Sequence, residues 1–187
     1  MNRLQIAFIT GRSDPETWQL STSQRTFLDR LARPGRWLVP LNFPYGESRD
    51  AVGPPGLWQA SLSNAREYLV SRQPAFRQRY RGSVLGLLAS AEHTVFLAGS
   101  CGLELLNNLD LPSACAGRLS VYAYGPVARA RPRYRHRMVQ GERDWISRLW
   151  FKEVDLRVDA GHLNYLGSPG VLSDCRSFID RIERGQA

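Results

Sequence analysis

Residues 96–106, FLAGSCGLELL, decide how the chain is read. The apolar run 94–99 reads as a strand. The residues from about Cys101 to Leu109 read as a helix that stops before Pro112, and between the two stand a serine and a cysteine set among glycines. A strand that passes at once into a helix puts Ser100 at the apex of a tight turn. Such a turn tolerates only small side chains two positions to either side, and Ala98 and Gly102 stand there. The start of the helix offers free N–H groups and the positive end of a dipole, so an oxyanion formed near Ser100 would meet the N–H of Cys101. The plain alternative is a capping serine. Cys101 is a rival nucleophile, because thiolates at helix starts are reactive. Moving the apex by one residue would set Gly99 and Leu103 at the flanks, however, and Leu103 is too large. Ser100 is therefore preferred, with Cys101 packed inward.

Outward from this stretch, short apolar runs alternate with longer segments of helical period, the pattern of a mostly parallel sheet flanked by helices. Candidate strands are 4–10, 37–42, 94–99, 119–124, 137–140 and 154–159, enough for a sheet of about six. Between them, 15–31 reads as a helix capped by Asp14 with Pro15 at its first position. Residues 57–91 read as two or three helical pieces interrupted at Pro74 and Gly82, and 171–183 as the last helix. The link 125–134, GPVARARPRY, is too short and proline-rich for a helix, and 144–153 has room for about three turns, so neither admits a lid domain. The 187 residues fit one domain, 1–187, with no composition shift to mark a boundary.

Composition is that of a globular chain, 43% hydrophobic and 22% charged. The net charge of +8 comes almost wholly from arginine, since Lys152 is the only lysine; it favours anionic partners without choosing among them. Cys101, Cys115 and Cys175 form no metal-spaced pair and leave one cysteine over in any disulfide scheme. The opening MNRLQIAFITGR is too short an apolar run for a signal peptide, and no run reaches membrane-spanning length. Together these features predict a cytoplasmic protein without a membrane span. There is no P-loop, no GxGxxG after a strand and no zinc spacing, so no cofactor or metal is expected.

In an open α/β sheet, reactive groups gather beyond the carboxyl ends of the strands. A serine needs a base, and the chain has three histidines. His93 precedes a strand and His136 enters one, both at the wrong end; His162 follows the strand 154–159 directly, at the correct end. A base of this kind needs a carboxylate behind it. Asp144 lies just past the carboxyl end of the strand in RHRMVQGERD and is preferred, with Asp159 and Glu142 as alternatives.

With LAGSCG as elbow, VQGERD as the acid-bearing segment and DAGHLNYL as the base-bearing loop, the chain resembles the α/β-hydrolase family over essentially its whole length. The order Ser, Asp, His is that family's order. The resemblance implies Ser100 as nucleophile, Asp144 as acid and His162 as general base, on a trimmed fold whose first strand corresponds to the third of the full family. The family's His-Gly oxyanion loop is replaced here by Thr10-Gly11-Arg12-Ser13, so Arg12, with Gly11 close behind, is the candidate second N–H donor beside Cys101.

Such a site would cleave an ester or thioester through an acyl-enzyme. The alternatives are a hydrolase-fold binding protein without catalysis and an acyltransferase with the same three residues. Arg129, Arg131, Arg133, Arg135 and Arg137 alternate, which in an extended segment directs all five to one side. That face would suit the phosphates of coenzyme A or an acidic acyl carrier protein, against the plain alternative of a solvated arginine face. Nucleic acid is disfavoured, because no stacking motif accompanies the stripe.

Overall fold

The computed structural model describes residues 2–11, 18–45 and 66–185. Its centre is a six-stranded sheet formed by β1 (Asn2–Thr10), β2 (Arg36–Asn42), β3 (Ala91–Gly99), β4 (Leu119–Tyr124), β5 (Arg135–Gly141) and β6 (Leu156–Val158), in the order β2-β1-β3-β4-β5-β6. Every pairing is parallel. The order in which strands are added reverses between β1 and β3, one step outward to β2 and then back toward β6, which opens a crevice at their carboxyl ends where ligands of such sheets bind. β3 sits inside the sheet, flanked by β1 and β4, and its last six residues are buried. That is why 94–99 carries no polar alternation.

The sheet divides the core in two. On one face Leu4, Ile6, Phe8, Val95, Leu97 and Tyr122 pack against α1 (Thr22–Asp29) and α5 (Pro169–Glu183), through Phe27, Leu28, Val171 and Phe178. On the other, Ala7, Ile9, Phe96, Ala98, Val121 and Met138 meet α2 (Pro74–Ala89) and α3 (Gly102–Asn108), through Phe76, Val84, Leu103 and Leu106. The period of two along each strand assigns these residues to opposite faces. A short α4 (Trp145–Trp150) follows β5. Arg36, its side chain fully enclosed, ties edge strand β2 to α5 through Asp180 at 2.6 Å and Glu183 at 2.6 Å.

Several boundaries differ from expectation. The helix predicted over 15–31 begins at Thr22, because Ser21 and Gln24 make a reciprocal capping box and Gln19 instead bridges to Leu41; Asp14 and Pro15 lie outside the described residues. The long helical region breaks at Ser71–Gln73, ahead of Pro74, and the helix then runs through Gly82 without interruption to Ala89. Ala91 already belongs to β3, so His93 lies inside that strand rather than before it; His136 likewise lies inside β5, and β6 is shorter than 154–159. Residues 125–134 contain no helix, as their length predicts. Among the described residues no helix is long and apolar enough to cross a membrane.

Candidate active site

Ser100 stands between β3 and α3 with φ of 51°, the left-handed region that a non-glycine residue enters at a cost. Two backbone bonds hold it there: its N–H donates to the Tyr124 carbonyl (3.2 Å), and its own carbonyl accepts from the Val127 N–H (3.0 Å). The small neighbours have distinct reasons. A Cβ on Gly102 would overlap the Ile9 carbonyl of β1, and one on Gly99 would overlap the Tyr124 ring. Gly102 thus lets the helix start press against the neighbouring strand, which brings Ser100 over the centre of the sheet.

The structure brings Ser100, His162 and Asp144 together. Ser100 Oγ lies 3.1 Å from His162 Nε2, and His162 Nδ1 lies 2.9 and 3.0 Å from the two oxygens of Asp144. Ser100 is half-buried, His162 is open to solvent at its edge, and Asp144 is fully buried. Burial by itself would raise the Asp144 pKa. Hydrogen bonds from His162, from the Ser147 N–H and from Tyr165 outweigh it and hold the carboxyl below its ordinary range. Asp144 also caps α4 by accepting from the Ser147 N–H at 3.0 Å. The competing acids lie elsewhere: Asp159 is exposed and paired with Arg143 at 2.8 Å, and Glu142 is exposed.

Burial pushes the Cys101 thiol up to about 12, with the charges of Glu67 and Glu104 adding to the effect. It remains a thiol at neutral pH, and only the thiolate is an effective nucleophile. The Gly11 N–H faces this sulfur, so the end of β1 lies directly beside the elbow. That end is clamped by Asn42, whose amide exchanges hydrogen bonds with the Thr10 N–H (3.1 Å) and hydroxyl (2.9 Å), while Gln24 donates to the same hydroxyl (3.1 Å). Arg12 lies outside the described residues.

The arginines do not form one face. Only Arg135 and Arg137 are in a strand, and the others follow an irregular loop, so alternation does not translate into a common side. Arg129 pairs with buried Glu104 on α3 (2.7 Å), and Arg137 with Asp174 on α5 (2.8 Å), across opposite faces of the sheet. Arg133 approaches Asp110 (3.6 Å), and Arg131 approaches Asp155 (4.0 Å).

Tyr165 is the neighbour of the site that sequence reasoning passed over. It sits in the base-bearing loop three residues after His162, is 2% exposed, and donates to Asp144 Oδ2 at 2.6 Å. An aromatic residue at that position is indistinguishable in sequence from a packing residue. Asn42, a polar residue ending an otherwise apolar strand, was the more readable signal.

No family model matches the chain, and no curated protein matches it. Among solved structures, TT1662 from Thermus thermophilus aligns over 96% of this chain and 88% of its own, at 16% identity and a TM-score of 0.50. A protein from Xanthomonas campestris pv. campestris, XCC1541, named as a candidate hydrolase of the alpha/beta superfamily, aligns over 98% of both chains at 13% identity and a TM-score of 0.47. At such identity the TT1662 likeness speaks to fold alone. Together with the strand order, it makes the fold class an α/β one, a sheet of six parallel strands flanked by helices.

Proposed function

We propose that the protein is a serine hydrolase that cleaves an ester or thioester through an acyl-enzyme on Ser100, from one domain over residues 1–187. The observation that carries this reading is the unbroken hydrogen-bonded chain from Ser100 Oγ through His162 to Asp144, mounted on a left-handed turn at a helix start. His162 Nε2 takes the hydroxyl proton as Oγ attacks the carbonyl, and Asp144 offsets the charge of the imidazolium. The N–H of Cys101, joined by that of Arg12, receives the oxyanion, the Gly11 N–H being turned to the Cys101 sulfur. The imidazolium then protonates the leaving alcohol or thiol. Water, deprotonated by the same imidazole, attacks the acyl-enzyme and releases the acid together with the restored serine.

Short-chain, uncharged esters fit the surroundings better than carrier-bound thioesters. Trp145 and Leu163, the residues after Asp144 and His162, are exposed apolar side chains, as is Leu149 one turn beyond Trp145. Meanwhile Arg129, Arg131, Arg133 and Arg137 each have a carboxylate partner. The test is hydrolysis of short-chain p-nitrophenyl esters and acyl-coenzyme A thioesters by wild type and Ser100→Ala. Wild type should turn over the esters and the variant should not. Failure of wild type on both substrates and with a fluorophosphonate favours the binding-protein reading, whereas transfer to an added alcohol or amine in preference to water favours an acyltransferase. If reversing charge at Arg131 and Arg133 lowered acyl-coenzyme A turnover at low salt, carrier recognition would return as the better substrate reading.

A further inference from the structure

We propose that Tyr165 is a positioning residue for proton transfer from Ser100: its phenol holds the Asp144 carboxylate in register with His162 and ties the base-bearing loop to the acid-bearing one. The inference rests on Ser100, His162 and Asp144 being the working chain.

The direction of the phenol proton follows from its partners. The Gly141 N–H lies 2.6 Å from Tyr165 Oη and can only donate. The single phenol proton is therefore free for Asp144 Oδ2, also at 2.6 Å. Gly141 ends β5 three residues before Asp144, and Tyr165 follows His162 by three, so this pair of bonds fixes the spacing between the two loops. Asp144 Oδ1 accepts from the Ser147 N–H; Oδ2 has Tyr165; and both face His162 Nδ1. Without the phenol, Oδ2 keeps only a share of the Nδ1 proton, in a place where the carboxylate is wholly enclosed.

The backbone around the phenol is cut to fit it. A Cβ on Gly125 would run into the Tyr165 ring and stand 3.1 Å from Asp144 Oδ2. A Cβ on Gly141 would overlap the Ala160 backbone and stand 3.1 Å from Tyr165 Oη. The Tyr124 ring, with its centroid 5.8 Å away, closes another side. Burial, followed by the Asp144 bond, raises the Tyr165 pKa, so the group remains a donor at working pH.

The test is Tyr165→Phe, which keeps the ring and removes the hydroxyl. Turnover of a short-chain ester should fall about tenfold with KM unchanged, as for a lost hydrogen bond to a charged group. The acidic limb of kcat/KM should move to higher pH, because a carboxylate with one donor fewer attracts the imidazolium more strongly. The low-field proton NMR signal of His162 Nδ1–H should shift as well. Site-specific 3-fluorotyrosine at 165, a stronger donor of nearly the same size, should move the limb the opposite way, and it serves also if the phenylalanine variant does not fold. An unmoved limb and an unmoved Nδ1–H signal overturn the inference, even where Tyr165→Phe loses thermal stability. If wild type itself neither turns over esters nor reacts with a fluorophosphonate, the underlying hydrolase reading fails and this inference fails with it.

Discussion

Among the described residues two serine–histidine pairs stand at opposite ends of the sheet. Ser100 and His162 meet at 3.1 Å beyond the carboxyl ends, and Ser120 and His93 meet at 2.9 Å near the amino ends of β4 and β3. By distance alone the second pair is the better one. Ser120, however, is fully buried in regular strand, and the second partner of His93 is the Gly117 backbone rather than a carboxylate. Burial lowers the His93 pKa, so that imidazole stays neutral. Ser100 is half-buried on a left-handed turn at a helix start, with a buried carboxylate behind its histidine. A hydroxyl near an imidazole is by itself ordinary packing. A carboxylate, free N–H groups and access for a substrate are what turn such a pair into a candidate for chemistry.

Ser100→Ala should reduce ester turnover by about 10⁶-fold, the scale seen when a serine nucleophile is removed. Asp144→Asn keeps the shape but no longer stabilises the imidazolium, so kcat should fall by about 10⁴-fold. Gly102→Ala should cost about 3 kcal/mol or more in urea unfolding, because its methyl must displace the β1 backbone at Ile9. Stability should also respond to acid. Asp144 is held below its ordinary pKa, so its contribution is present above the unfolded value of about 4 and is lost as pH falls through the folded one. The urea midpoint of wild type should therefore drop below about pH 4, and Asp144→Asn should flatten that slope. The smallest effect belongs to the second pair: Ser120→Ala should leave kcat/KM within about twofold of wild type, and a large loss would show that the amino-end pair matters to turnover.

Most strands were legible because their signals are local. The unbroken apolar run of β3 follows from burial on both faces, and 119–124 matches β4 residue for residue. The break at Pro74 was equally local, since the ring has no N–H to continue a helix. The start of α1 differs from expectation because Ser21 with Gln24 makes the capping box, and the contact of Gln19 with β2 keeps that residue out of the helix. At the site, Asp144 is preferred to Asp159 in the sequence because 154–159 reads as strand; with β6 ending at Val158 both follow a strand end, and what parts them is that Asp144 meets His162 while Asp159 is exposed and paired with Arg143. Tyr165 was not legible, because its role depends on where Gly141 and Asp144 arrive in space. The arginine stripe misled for the opposite reason. Alternation has a meaning only in extended strand, and 129–134 is irregular loop whose charges pair with acids on separate segments, Glu104 on α3, Asp110 after it and Asp155 before β6.

Whether Ser100 is the nucleophile is tested by treating the intact protein with a fluorophosphonate at neutral pH and locating the adduct by peptide mass mapping. One adduct per chain, on Ser100 and absent from Ser100→Ala, is the predicted result. An adduct on Ser120 or Cys101, or labelling that survives Ser100→Ala, would contradict it.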